Sequence, residues 1–206
     1  GTLLKGIFPA IKNHEIYDCE LDKALVDFVK YKVPNAKYLT VNADFNLNKK
    51  FDIILVPFVL EKYPIMRQLA DILHKNLAEG GKAVILIKNK SSFYGIMYNA
   101  LRLMGLNNIN TSFYNGPFEP VSKPKVVGIL KKSGFIVKST NLFLIPPELE
   151  DYNKLIDYYL VRHGPRKRYA FLIRPALGIL KSTAKSLNPL HLPLPSSSVV
   201  IVAQKI

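Results

Sequence analysis

The sequence predicts an α/β protein whose sheet is mostly parallel and carries helices on both faces. Three observations predict it: a strand–helix–strand crossover between Phe51 and Asn89, an amphipathic helix running into an apolar stretch between Pro120 and Val137, and a strand-like ending from Ser198 to Ile206. In the crossover, Ile53–Val56 is a short apolar run that follows an Asp and stops at Pro57, the pattern of a parallel strand buried on both faces. Leu69, Ile72, Leu73 and Leu77 then recur at helical spacing. Gly80–Gly81 supplies residues that tolerate positive φ and close a helix, and Ala83–Ile87 is a second buried strand.

The remaining elements follow in order. Glu15–Leu21 (EIYDCEL) reads as a strand ending in an acid, followed by a helix through Ala24, Leu25, Phe28 and Val29. Tyr38–Asp44 (YLTVNAD) alternates and is rich in β-formers, so it is the next strand. Pro120–Phe135 is a helix opened by Ser and Pro, apolar at Val126, Val127, Ile129 and Leu130, and stopped by Gly134. Ile136 and Val137 begin a further strand, and SVVIVAQKI is the last.

An acidic strand end, an AD after the next strand, an FD before the one that follows, the LAEGGKAVI exit and the KKSGF turn occur in succession. This order resembles the class I (type 11) S-adenosylmethionine-dependent methyltransferases, whose Rossmann-like sheet has seven strands with the last antiparallel. The resemblance implies S-adenosylmethionine as cofactor. It gives Glu20, with Leu21 beside it, the two ribose hydroxyls, a task suited to a carboxylate with several acceptor sites; Asp18 is the alternative. It gives Asp44 the exocyclic amine of adenine, with Ala43 beside it in the cofactor site, Phe45 the base to pack against, and Pro57 and Phe58 the loop after the fourth strand. Gly1 and Thr2 fall on the end of the family's glycine-rich loop, so the resemblance implies that a first strand and most of that loop precede Gly1 in the intact protein. Within the activity the resemblance implies, an RNA or protein acceptor is the runner-up; a methyltransferase-like paralogue that has lost the cofactor and serves as a binding or scaffold subunit is the lesser reading.

At 206 residues and 49% hydrophobic content, the chain suffices for one well-buried domain, residues 1–206. A lone cysteine, Cys19, rules out an internal disulfide framework; it reads as a buried thiol and points to a cytoplasmic setting. No run reaches the roughly 20 apolar residues of a membrane span.

The formal charge of +14 calls for an anionic partner or environment, but no RNA-binding signature accompanies it, so nucleic acid is not the favoured one. The dense basic cluster Arg162–Arg168 precedes an apolar, basic segment, Tyr169–Leu187. Residues 162–187 read as a peripheral membrane contact, a lid over a greasy pocket, or a helix packed on the sheet.

Two long segments, 91–119 and 146–195, follow the carboxyl ends of strands, where α/β sheets bind ligands, and are expected to form a lid over the acceptor. Tyr94, Tyr98, Phe113 and Tyr114 are candidates for an aromatic acceptor pocket or for plain core of the inserted helices, and a small or lipid-like acceptor fits the former. Methyl transfer from an activated sulfonium needs alignment above all, and none of His14, His74, His163 or His191 is placed as a convincing base. His74 reads as an exposed helix residue, and Lys62 stands where many relatives of the family carry His. No catalytic residue is assigned, and no Cys/His cluster suggests a metal.

Overall fold

The computed structural model describes residues 13–20, 26–27, 30, 36–40, 47–60, 68–103, 119–143, 182 and 198–206. They belong to two compact units, residues 1–50 and 51–206. In the first unit β1 (Tyr17–Glu20) and β2 (Lys37–Thr40) pair in parallel, Tyr17 opposite Lys37 and Glu20 opposite Thr40. Both expected strands are therefore present among the described residues.

The second unit contains β3 (Phe51–Pro57), α1 (Leu69–Asn76), β4 (Leu77–Lys88), α2 (Phe93–Leu103), α3 (Lys123–Lys132), β5 (Phe135–Phe143) and β6 (Ser198–Lys205). Its sheet has the order β3-β4-β6-β5. β3 runs parallel to β4, while β6 is antiparallel to both of its neighbours, so the last strand is wedged between two crossover strands. This register sets Ala83 against Ala203, Ile85 against Ile201 and Ile87 against Val199, all fully buried. Leu73 of α1 and Val126 and Leu130 of α3 join the same core cluster, each with no exposed surface. Each such aliphatic side chain contributes about 1.5–3 kcal/mol relative to exposure.

α3 starts as its sequence predicts, with Ser122 extended at the N-cap and a proline in the first turn, and Gly134 at φ +80° lets the chain reverse into β5. The end of α1 differs from expectation. Gly80–Gly81 does not close the helix; α1 stops at Asn76, Leu77 is already extended (φ −84°, ψ 141°), and both glycines lie within β4. A side chain does the capping instead. Lys205 Nζ, at the end of β6, donates to the carbonyls of His74 (3.1 Å) and Leu77 (3.3 Å) and pairs with Glu79 at 2.8 Å. The ammonium thus meets the negative end of the helix and satisfies carbonyls that have no partner within it. Gly80 (φ +72°) serves a bend, its carbonyl accepting from Gln204 Nε2 at 2.9 Å.

Three further expectations are corrected. Ile53 is 65% exposed and Asp52 beside it is exposed too, so β3 is not buried on both faces along its length; among the described residues its one strand neighbour is β4. Cys19 is exposed, since alternation in β1 turns it to the side opposite the half-buried Asp18. His74 is half-buried: its Nε2 contacts the carbonyl of Ser133, and its ring meets Phe135 edge-on with centroids 4.6 Å apart.

Lys205→Met is expected to lower unfolding free energy by about 1–3 kcal/mol, since it leaves buried carbonyls without a donor. Glu79→Gln removes only an ion-pair partner that is 78% exposed and is expected to cost below about 1 kcal/mol. Urea unfolding of the two variants checks the contrast.

Candidate functional site at the carboxyl ends of the strands

β3 and β4 deliver their carboxyl ends to the same edge of the sheet, and both ends are chemically distinctive. β3 ends at Pro57, and Phe58 takes a left-handed backbone (φ +53°), a strained conformation for an aromatic residue, while its N–H donates to Leu86 O at 2.9 Å. β4 ends in a buried polar group: Lys88 is 3% exposed, Asn89 5% and Ser92 0%. The Lys88 ammonium lies 5.0 Å from the centroid of the Phe58 ring, within cation–π range.

The turn out of β4 is closely built. Asn89 Oδ1 accepts from Ser91 N–H at 3.1 Å. Ser92 Oγ donates to Asn89 O at 2.7 Å and accepts from Gly95 N–H at 3.2 Å, capping the start of α2. A Cβ on Gly95 would stand 2.1 Å from the Lys90 carbonyl oxygen, so α2 can approach the turn only with glycine there. Val121 N–H donates to Lys88 O at 2.8 Å and Lys90 N–H to Val121 O at 3.1 Å, which ties the segment before α3 to the same edge.

On α2, Tyr98 is buried at 4% exposure, whereas Ile96, Ala100 and Leu103 occupy one exposed face at helical spacing, Ile96 at 53% and Leu103 at 87%. Of the expected acceptor residues, Tyr98 is thus a buried residue of α2, and Tyr94 lies on α2 in its first turn. Phe113 and Tyr114 lie outside the described residues.

In the first unit, Glu20 is the last residue of β1, at the carboxyl end where the sequence places it. Asp18, two residues earlier on β1, has its Oδ2 buried with no hydrogen-bond partner. Burial pushes its carboxyl above the usual value. Such an acceptor without a donor fits a ligand that brings hydroxyl groups. Gly1, Thr2, Leu21, Ala43, Asp44 and Phe45 lie outside the described residues, as do Lys62, His163, His191 and nearly all of 162–187.

At the amino end of the same strand pair, Glu15 accepts from Tyr17 Oη (2.8 Å), Lys49 Nζ (2.8 Å) and Lys37 Nζ, while Lys49 also contacts the Tyr17 hydroxyl. The Lys37 ammonium first, then Lys49 and the Tyr17 hydroxyl, hold the Glu15 carboxyl down at about 2. Among the described residues no group of three His, Cys, Asp or Glu is placed to hold a metal, and no helix is long and apolar enough to cross a membrane.

Sequence reasoning missed the buried Lys88–Asn89–Ser92 group. The available signal was the abrupt change from the apolar AVILI to KNKSS, which puts polar residues directly on a buried strand's end.

No family model matches the sequence, and no curated protein matches it. Solved structures do. A SAM-dependent methyltransferase from Archaeoglobus fulgidus superposes with TM-score 0.56 at 16% identity, covering 98% of this chain and 82% of that one. The fold is that of the class I S-adenosylmethionine-dependent methyltransferases. The cyclopropane synthase MmaA2 from Mycobacterium tuberculosis matches this methyltransferase fold with TM-score 0.57 at 17% identity over 95% of this chain and 72% of its own. A mycolic acid cyclopropane synthase, CmaA1, solved with SAH and CTAB, gives 0.54 at 14% identity over 97% and 73%.

Two titrations test the electrostatics. Glu15 is expected to titrate near 2 by carbon-detected NMR; because its folded value is depressed, its contribution to stability is full above about 4.5 and is lost as pH falls toward 2. Asp18 has the opposite sign: ionisation of a raised carboxyl costs stability above the unfolded value, 3.8. Asp18→Asn is expected to raise the thermal midpoint at neutral pH, the gain fading as pH falls toward that value.

Proposed function

We propose that this chain transfers the methyl group of S-adenosylmethionine to a small or lipid-like acceptor. The observation that carries the reading is the fold, with its antiparallel β6 between β4 and β5 and its polar, strained carboxyl edge. Glu20, the last residue of β1, or Asp18 two residues before it, would accept the cofactor's ribose hydroxyls; the donorless Asp18 Oδ2 supports such a role. Phe58 and Pro57 would line the strand end in the second unit, where a left-handed backbone sets the direction of the phenyl ring. The cofactor supplies an activated methyl group when bound. The chain's task is alignment and exclusion of water, which accords with the absence of an assigned base.

The apolar preference of the acceptor is supported by α2. Ile96, Ala100 and Leu103 put an apolar face in solvent on the helix that leaves the carboxyl end of β4. Covering that face with a greasy acceptor recovers free energy that water does not. The structural relatives solved as cyclopropane synthases, one of them for mycolic acid, support the same direction.

Calorimetric titration with S-adenosylhomocysteine is the test. Micromolar binding that falls at least about tenfold in Glu20→Ala or Asp18→Asn is the expected result. No heat from a folded wild-type protein would overturn the cofactor reading in favour of a binding subunit.

A further inference from the structure

From Pro120 to Phe143 the chain carries five lysines and neither an acid nor an arginine. The structure gathers these lysines at one margin of the second unit, because β5 is the outer strand of its sheet and α3 packs beside it through Val126 and Leu130. On the side of α3 away from that packing, Lys125, Lys131 and Lys132 are exposed. Between them sits Gly128, where an added Cβ would meet nothing within 4 Å. A glycine in a helix interior costs about 1 kcal/mol relative to alanine, and neither packing nor a positive φ requires it here. What the bare position provides is a flat ridge about 15 Å long, flanked by ammonium groups, to which a broad surface can come close. Lys138, exposed at the register shift of β5, extends the charge onto the sheet's edge.

We propose that this α3–β5 margin is a docking surface for an anionic lipid bilayer. Charge complementarity selects an anion, and the residue types select among anions. Base recognition in RNA draws on aromatic stacking and guanidinium forks, and this ridge offers neither. Lysines are compact point charges on flexible stems, suited to a diffuse field of lipid phosphates, each adding about 1 kcal/mol near such a surface. The ridge also runs from Lys123, beside the carboxyl edge that Val121 joins to Lys88, toward the opposite end. A bilayer lying along it would border the edge where the acceptor is proposed to enter. Docking itself does not depend on the methyltransferase reading, since it is read with no cofactor present.

The experiment is vesicle flotation of the protein with phosphatidylcholine alone and with phosphatidylcholine containing phosphatidylglycerol, over a salt series. The expected result is binding to the anionic vesicles only, weakening with salt, and reduced at least about tenfold in Lys125→Glu/Lys131→Glu/Lys132→Glu. The milder Lys→Gln triple variant is expected to move in the same direction with circular dichroism unchanged. Lys82→Glu, on β4, is expected to stay within about twofold of wild type, since single surface charges act locally. Equal binding by wild type and both triple variants, no binding to anionic vesicles, or loss in the triple variants of binding to a single-stranded RNA oligomer but not to vesicles would each overturn the proposal.

Discussion

The second unit depends on the antiparallel insertion of β6 between β4 and β5. Two ladders meet on this one strand, from Lys82↔Gln204 to Lys88↔Ser198 on one side and, with a register shift at Lys138, from Phe135↔Lys205 to Phe143↔Ser198 on the other. Without it, β4 and β5 would each carry an unpaired row of backbone groups in the middle of the core, a cost no side chain here could offset. Ile201 and Val199 also complete the apolar face on which α1 and α3 lie, so helix packing follows from strand pairing.

The same strand settles the electrostatics at its far end. Lys205 is nearly buried, and an ammonium is tolerated there only because two helix-terminal carbonyls and Glu79 surround it. The residue therefore acts as the cap that α1 lacks in its own sequence. His74 and Phe135 close the neighbouring gap between α1 and the start of β5. One end of the sheet is thus locked by side-chain contacts, and the opposite, carboxyl end is where polar groups are buried and the backbone is strained. The two ends thus differ in what holds them: the Lys205 ammonium and the His74–Phe135 contact at one, the hydrogen-bonded turn through Asn89 and Ser92 at the other.

Glu15, just before β1, and Asp18, on it, illustrate how neighbouring carboxylates differ by environment. Glu15 is held ionised by two ammonium groups in an exposed cluster, and Asp18 is pushed toward its neutral form by desolvation. Of the two, Asp18 is the one with a buried oxygen, Oδ2, that no donor reaches.

The sequence by itself determined the element types and their order. Runs such as AVILI and SVVIV have no conformation that buries them as well as a strand, Pro124 and Gly134 bracket α3 through fixed φ and positive φ, and the succession of short motifs indicated the fold class. The acidic end of β1 was legible too, since Glu20 does terminate it. Tertiary structure alone decided what depends on partners distant in sequence. Gly80–Gly81 looked like a helix stop, but Lys205, 125 positions beyond Gly80, caps α1 earlier and leaves the glycines to a bend in β4. The exposure of Ile53 and Cys19, the half-burial of His74 and the enclosure of Lys88 likewise follow from which face a neighbour covers. Local periodicity records that a residue is apolar or polar; it carries no information on which surface will be opposite, and that pairing is fixed only when the chain closes on itself.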